Sequence, residues 1–418
     1  MKTRMITSIV LCPLLWVSAG CGPMIDLVAG AFSRSPADYP ERLSQDARTL
    51  AAEVYADADP AKLADYHVHL IGMQGDGSGC YANPRMLTWA HPFDHLRFLV
   101  YCSAGGVTRP QHAAAEYFDR LNALAQTAPG HFLLLAFDEN RGADGRVVRK
   151  STEFHVPNDY ALNTAAKVPD RFAAAGSVHP LRPDAIAELQ RLHAKGVRVI
   201  KWLPNAMGID PADPRCEPFY REMRRLDMVL LTHGGVEAAV EAIKDQRLGN
   251  PQRLKLALNC GVKVIVAHCA SLGKGDDEDA GPGAPQLENW KLLLRMMDNP
   301  KWRGLLFADI SATTQINRSP EFLRTVLTRN DLHPRLVNGS DYPLPATNIV
   351  ISLGHWVHAG LLDPADIPPL RELYDVNPLV FDYALKRRLR FIHPDGQVSR
   401  FPAGVFQEHP QLPLQGTR

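Results

Sequence analysis

The chain has almost no excess of charge: 46 Lys and Arg stand against 45 Asp and Glu, a formal net charge of +1 over 418 residues. Binding a polyanion needs a basic surplus or a basic run, and the sequence has neither, so no nucleic-acid partner is expected. It also lacks paired zinc-ribbon cysteines, a phosphate-cradling GxxxxGK[ST] loop and heptad repeats. Zinc ribbons, P-loop nucleotide chemistry and coiled coils are thereby excluded. Cysteine is scarce, at seven. Cys12 and Cys21 fall near the start, which leaves Cys80, Cys102, Cys216, Cys260 and Cys269. That odd set leaves at least one thiol unpaired within the chain. Cys102, Cys260 and Cys269 sit in or beside strand-like runs and read as buried apolar thiols.

What is present begins with an ordinary globular composition, 45% hydrophobic and 22% charged, ample for a large core. The first twenty residues read as a targeting segment. Lys2 and Arg4 form a positive start, and Ile6–Val17 is apolar but short for a membrane span. Ser18-Ala19-Gly20-Cys21 follows. Small residues before a cysteine resemble the lipobox of bacterial lipoproteins, with Cys21 as the acylated residue. By the same resemblance, Gly22 after the cysteine favours the periplasmic face of the outer membrane. The expected divisions are a signal peptide over 1–20, a tether and approach segment over 21–61, a barrel over 62–385 and a C-terminal extension over 386–418.

From residue 62 strand-like and helix-like segments alternate, which argues for parallel βα units. Eight strands are expected at 65–70, 97–103, 172–178, 197–203, 228–233, 262–268, 305–311 and 336–341. Runs such as Val262–Val266 are nearly all apolar, as strands buried on both faces are. Helices are expected at Asn158–Lys167, Asp184–Lys195, Val236–Asp245, Gln286–Met297 and Pro320–Thr328. Eight strands with helical crossovers fit a (β/α)8 barrel, an α/β fold, of this size. The apolar run His131–Phe137 and the polar turn near Asn140–Gly145 read as a hairpin inserted between strands two and three. Long connections follow strands one and six, at Gly72–His95 and Gly273–Pro285, and would rise on the catalytic face. The acidic stretch Asp276, Asp277, Glu278 and Asp279 in the second reads as a solvated, disordered loop rather than a metal site.

The chemistry-bearing residues end the expected strands. His67 and His69 stand two apart, so both point to one face. Lys201, His233, His268 and Asp341 end strands four, five, six and eight. Imidazole and carboxylate suit zinc or a similar divalent metal. Parallel barrels set their chemistry at the C-terminal strand ends, so these side chains converge if the barrel closes.

The segments PDRFAAAGSVHP (169–180), GVRVIKWLPN (196–205), THGG (232–235), AHCASLG (267–273), GSDYP (339–343) and VNPLVFDYALKR (376–387) complete the pattern. Together with ADYHVHL they resemble the amidohydrolase superfamily, in its amidohydrolase-related, or type 2, branch. That resemblance implies that His67, His69 and Asp341 bind one metal, and that His233 binds it or a second one. It implies that His268 is a second-site ligand or a catalytic histidine. It also implies one or two metals per chain, zinc first among them, and raises Lys201 as a residue that carboxylation would turn into a bridging ligand. Asp341 would serve as general base for hydrolysis of a lactone, ester or amide. The same branch contains nonoxidative decarboxylases, which keeps a lyase open. A non-catalytic envelope protein has no need to keep five such residues together.

Other residues draw plainer readings. His179, His155, His91 and His95 read as hydrogen-bonded loop residues. Trp89, Trp202 and Tyr342 read as core before pocket. Asn338 and Ser340 precede Asp341 and are placed to orient it.

Overall fold

The computed structural model describes residues 28–30, 34–240, 243–281 and 283–416. The signal segment and Cys21 lie outside the described residues. Among those described, no helix is long and apolar enough to cross a membrane.

Eight parallel strands close into a barrel. They are β1 (Ala64–His69), β2 (His131–Leu135), β3 (Phe172–Ala175), β4 (Val199–Trp202), β5 (Val229–Thr232), β6 (Lys263–Val266), β7 (Leu306–Asp309) and β8 (Leu336–Val337). Hydrogen-bonded ladders join β1 through β3 and β4 through β8. Parallel bridges close both seams: Gly176 with Ile200, and Val68 with Tyr342. The register of β1 on β2 slips between Asp65 and Val68, a bulge next to His67.

Two expectations fail together at the second strand. Residues 97–103 are not a strand but lie in a helix, α1 (Pro92–Gly105). The expected inserted hairpin is instead the second barrel strand, β2. The run FLVYCSA is rich in strand-favouring types, yet it packs as a helix across the barrel mouth. Antiparallel pairing does occur there, but between Tyr81–Ala82 and Phe154–His155. The helix expected at Val236–Asp245 is also absent: a loop runs to Val240, and a short 3-10 segment occupies Ile243–Gly249. The other four expected helices form, as Asn158–Ala165, Ala185–Ala194, Asn289–Asp298 and Pro320–Thr328. Ser319 caps the last of these and Pro320 opens it.

The acidic run is held by partners rather than standing free as a disordered loop, although Asp276, Glu278 and Asp279 stay exposed. Lys274–Gly275 pairs with Leu287–Glu288. Asp277 is buried against Arg295 at 2.6 Å and Gln252 at 3.2 Å, and Glu278 meets Arg253 at 2.7 Å. Cationic partners distant in sequence hold the run down, which its local composition could not reveal.

The barrel interior is filled by Leu133, Leu135, Ala173, Val199, Leu231, Ile265 and Phe307 among others. The C-terminal extension plugs its lower end. Leu412 and Leu414 join that inner cluster, and Tyr66 Oη donates to Leu412 O at 2.7 Å. The described cysteines are all free thiols, with Cys102 and Cys269 buried and Cys260 half-buried. Cys102 reaches its place on α1 rather than on a strand.

Candidate metal centre

The upper end of the barrel gathers every site residue expected within the described chain. His67 and His69 leave β1 on one side, and each Nε2 approaches Asp341 Oδ1, at 3.4 and 3.2 Å. The His69, His67, His268 and His233 rings follow one another with centroids 5.1, 5.0 and 5.1 Å apart. Lys201 points inward from β4 and sets its Nζ 2.9 Å from His67 Nε2. All of them border one cavity.

Two of these residues sit on strained turns rather than on strands. His268 follows β6 at φ 58°, and Asp341 follows β8 at φ 65°. Non-glycine residues hold the left-handed region only where the surroundings over-determine it. Here the His268 N–H donates to Asp309 Oδ1 at 2.8 Å, and the Asp341 N–H donates to His67 O at 2.7 Å. Gly339 makes the second turn possible, since a Cβ there would meet His67 Cβ at 2.6 Å. Beneath it, Lys386 donates to Gly339 O at 2.7 Å and pairs with Asp382 at 2.5 Å, fully buried. Ser340 braces the same turn, its N–H on Asp65 Oδ1 at 2.8 Å and its Oγ accepting from Tyr342 N. Asn338 instead faces Lys386 and Ala64.

Asp309, at the end of β7, organises the centre. Its Oδ2 meets His67 Nδ1 at 2.9 Å. Its Oδ1 accepts from the N–H of His268 and of Ser311, at 2.8 and 2.9 Å, and from the Ser311 hydroxyl. Ser311 Oγ in turn lies 2.8 Å from His268 Nδ1. Both histidines are therefore held through Nδ1, which leaves Nε2 facing the cavity.

Among the described residues, two sets of donors lie close enough to hold an ion, with ligand atoms within 4.8 Å of one another: His67–His69–Asp341 and His67–His268–Asp309. The second set is weaker on chemical grounds, because both Asp309 oxygens are already occupied by donors. The first presents two imidazole nitrogens and a carboxylate oxygen, a set that fits a divalent metal. His233 Nε2 is buried without a hydrogen-bond partner beside them, a further donor aimed at no protein atom. Its Nδ1 lies 3.4 Å from Glu237 Oε2.

The electrostatics match that donor set. Burial, then the Lys201 charge, push His67 down to about 4, and burial lowers His233 and His268 as well. Neutral imidazole is the ligating form. Burial would raise Asp341, but the charges of His268 and His67 and the His69 hydrogen bond hold it well below the usual carboxylate range. Burial brings Lys201 down to about 8, against the opposing pull of Asp309 and Asp341.

The cavity above holds about 180 Å³ and has mostly apolar walls: Phe98 and Tyr101 from α1, then Phe137, Phe154, Val236 and Leu272. Arg318, 7% exposed, also borders it. Its Nε donates to Ala312 O at 3.2 Å, and among the described residues no carboxylate pairs with it. His155 lines the cavity too, its Nδ1 2.9 Å from Phe137 O, so its place is more than that of a loop residue. His179 is a buried loop residue as expected, its N–H on Asp138. His95 meets Met86 O at 2.7 Å, and His91 stands at the N-terminus of α1. Trp202 and Tyr342 are core, whereas Trp89 is 56% exposed and belongs to neither core nor cavity.

Asp309 is not among the expected site residues, although LLFADIS carries the same apolar-run-then-ligand signature as the other strand ends. Glu237 and Arg318 lie in loops with no local signal.

A model of the family described as Amidohydrolase matches residues 64–368. No curated protein matches the chain. Solved structures do, at low identity. An uncharacterised TIM-barrel protein from Bordetella bronchiseptica shares 16% identity at a TM-score of 0.48, covering 77% of this chain and 99% of that one. A probable 2-pyrone-4,6-dicarboxylic acid hydrolase from Acinetobacter baumannii shares 14% at 0.42, covering 72% and 91%. The 5-carboxyvanillate decarboxylase of Sphingomonas paucimobilis shares 14% at 0.40, covering 79% and 99%.

Proposed function

The chain belongs to the amidohydrolase family, and from that premise we propose that it is a metal-dependent hydrolase that cleaves a lactone, ester or amide. The observation that carries the reading is the donor set His67 Nε2, His69 Nε2 and Asp341 Oδ1, with His67 fixed from behind by Asp309 at the floor of an apolar cavity. In this reading those three residues would hold one divalent metal, zinc in the first instance, with His233 and His268 bordering the same cavity. A bound divalent metal supplies Lewis acidity that polarises a carbonyl and acidifies water. Asp341 is a carboxylate at any working pH. It takes the proton of the water that attacks the carbonyl carbon and passes it to the departing oxygen or nitrogen. Arg318, a buried cation with no paired carboxylate, takes the carbonyl oxygen as it gains negative charge. The apolar walls hold the rest of a small, largely apolar substrate and exclude water.

Lys201 enters as the residue nearest His67 Nε2. A primary amine brought down to about 8 has a neutral fraction able to take up carbon dioxide. A carbamate there would reverse its charge and make it a ligand rather than a competitor.

The chain is proposed to be a lipoprotein of the cell envelope, anchored through Cys21. Loss of acyl labelling in Cys21→Ser tests this, and unchanged membrane partitioning and mass would contradict it.

The test of mechanism is a contrast between two variants, measured as metal content and turnover on a panel of activated esters and lactones. Asp341→Asn keeps an oxygen donor but cannot take a proton, so it retains much of its metal and loses at least ~10²-fold in turnover. His67→Ala loses metal, because a ligand is gone. Near-native turnover in Asp341→Asn would show that another group is the base. A parent with full metal and no hydrolytic activity on any substrate would move the assignment to a decarboxylase or other lyase.

A further inference from the structure

The apolar surface of this molecule is not scattered. Large hydrophobic side chains that stand exposed among the described residues concentrate on the face that carries the cavity mouth. Leu87 and Trp89 do so on the segment that leads into α1, and Phe93 and Leu96 on its first turns, with Phe93 79% exposed. The same helix turns Phe98, Tyr101 and Cys102 into the cavity. It is thus apolar on two faces, one lining the pocket and one open. Ile316 is exposed between Gln315 and Asn317, both of which line the cavity. Ile349 is exposed beside Val350, whose carbonyl accepts from the Ile316 N–H at 2.9 Å. Of the remaining exposed large hydrophobics, only Ile392 and Val398 lie elsewhere, on the small hairpin at 391–399.

Charges on the segment are paired, which lowers the cost of bringing it against an apolar phase. Arg85 meets Asp94 at 2.9 Å, Arg97 meets Asp94 at 3.2 Å, and Arg97 also pairs with Glu153.

The N-terminal chain arrives at this same face. Ser103 of α1 donates to Ala29 O at 3.2 Å, and the Gly30 N–H donates to Ala346 O at 2.8 Å, two residues beyond Leu344 of the cavity wall. Exposed Val28 precedes them. Cys21 lies seven residues before Val28, a length that spans at most about 25 Å. A lipid on Cys21 therefore holds the cavity mouth, and not the plugged lower end of the barrel, within reach of the bilayer.

We propose that the rim formed by Leu87, Trp89, Phe93, Leu96, Ile316 and Ile349 rests in the surface of the membrane to which the chain is anchored, so that the cavity opens onto the lipid phase. The proposal builds on the Cys21 reading above and adds an orientation to it. Exposed apolar side chains gathered on one face mark an interaction site, and aromatic side chains suit the membrane interface. An apolar substrate dissolved in the bilayer would then reach the cavity along α1 without crossing water.

Trp89 is a built-in reporter, because the other described tryptophans, Trp202, Trp290, Trp302 and Trp356, are buried. The processed chain, purified from membranes, is reconstituted with phosphatidylethanolamine–phosphatidylglycerol vesicles containing a phospholipid brominated high in its acyl chains. Trp89→Phe supplies the background emission. The expected result is strong quenching of the Trp89 component. Phe93→Ser with Leu96→Ser should reduce it severalfold while the acyl anchor keeps the chain on the vesicles, with metal content unchanged. A chain that floats with the vesicles while Trp89 stays unquenched would overturn the orientation and leave the anchor standing. If mass analysis finds no acyl chain at Cys21, the anchor reading fails; quenching at excess vesicles still supports the rim, and its absence overturns it. Trp89 shielded from aqueous iodide yet unquenched by the bromolipid, in a chain that sediments as a dimer, would assign the rim to a second copy and overturn the proposal.

Discussion

Asp309→Asn is a change of one atom that sets two requirements of the centre against each other. Its Oδ1 accepts the N–H of His268 and of Ser311, and its Oδ2 meets His67 Nδ1. If the amide keeps its oxygen toward the two backbone donors, its NH2 faces His67 Nδ1. The ring must then accept at Nδ1 and carry its proton on Nε2, which removes Nε2 as a ligand. If the amide turns round, its NH2 opposes two buried N–H donors instead, at about 1–3 kcal/mol for each unsatisfied group. Either arrangement damages the site while leaving its volume unchanged. Loss of such a supporting partner typically weakens metal affinity by ~10–100-fold. Competition with a chelator measures that affinity, and thermal unfolding of the metal-free protein separates the two arrangements. The first leaves the metal-free melting temperature near the parent's, and the second lowers it. Parent-like affinity together with a parent-like melting temperature would refute the reasoning, because it would mean that Asp309 does not set the tautomer of His67.

Three further outcomes follow from the same geometry. Lys386→Met leaves Asp382 buried without its cation and removes the donor to Gly339 O, so unfolding should cost less, by up to about 3–5 kcal/mol above neutral pH, where the parent's carboxyl is ionised. Burial already pushes Asp382 up to about 7, so the loss should shrink on acidification as the carboxyl becomes neutral, and a loss that grows instead would contradict the assignment. In metal-free protein, His67 titrates near 4 against an ordinary 6.5, so the unfolded chain takes up the proton first as pH falls. Stability should be full above about 6.5 and decline towards 4 by about 3 kcal/mol from His67 alone, with His233 and His268 adding in the same direction; a denaturant midpoint flat over that range would contradict it. Intact mass measured without acid should show one carbon dioxide on the parent that is missing from Lys201→Arg, and an unmodified parent would return Lys201 to the role of a plain cation.

The barrel was legible wherever a strand is buried on both faces and ends in a ligand, as VIVAHCA and LVNGSDYP do. Seven of the eight expected strands followed from such apolar runs, and the convergence of His67, His69, His233, His268 and Asp341 followed from the ligands that end four of them. The second strand was not legible, for a physical reason: α1 is apolar on two faces, so it shows no amphipathic stripe and imitates a buried strand, while the real β2 stood next to a turn and resembled a hairpin. Asp309 could have been read, since it ends an apolar run as Asp341 does. Glu237 and Arg318 could not, because their places depend on loops whose course is set by tertiary contacts. The ordering of Asp277 likewise depends on Arg295 and Gln252, distant in sequence.

The assignment of His67, His69 and Asp341 as a metal centre requires an ion among their three ligand atoms. Anomalous scattering from crystals grown with the protein's own metal, recorded on both sides of the absorption edge of that element, tests it most directly. The expected result is one principal peak about 2 Å from His67 Nε2, His69 Nε2 and Asp341 Oδ1, with Lys201 Nζ moved away from His67 or converted to a carbamate. A principal peak on Asp309, or none in this cavity in a protein that hydrolyses its substrate, would contradict it.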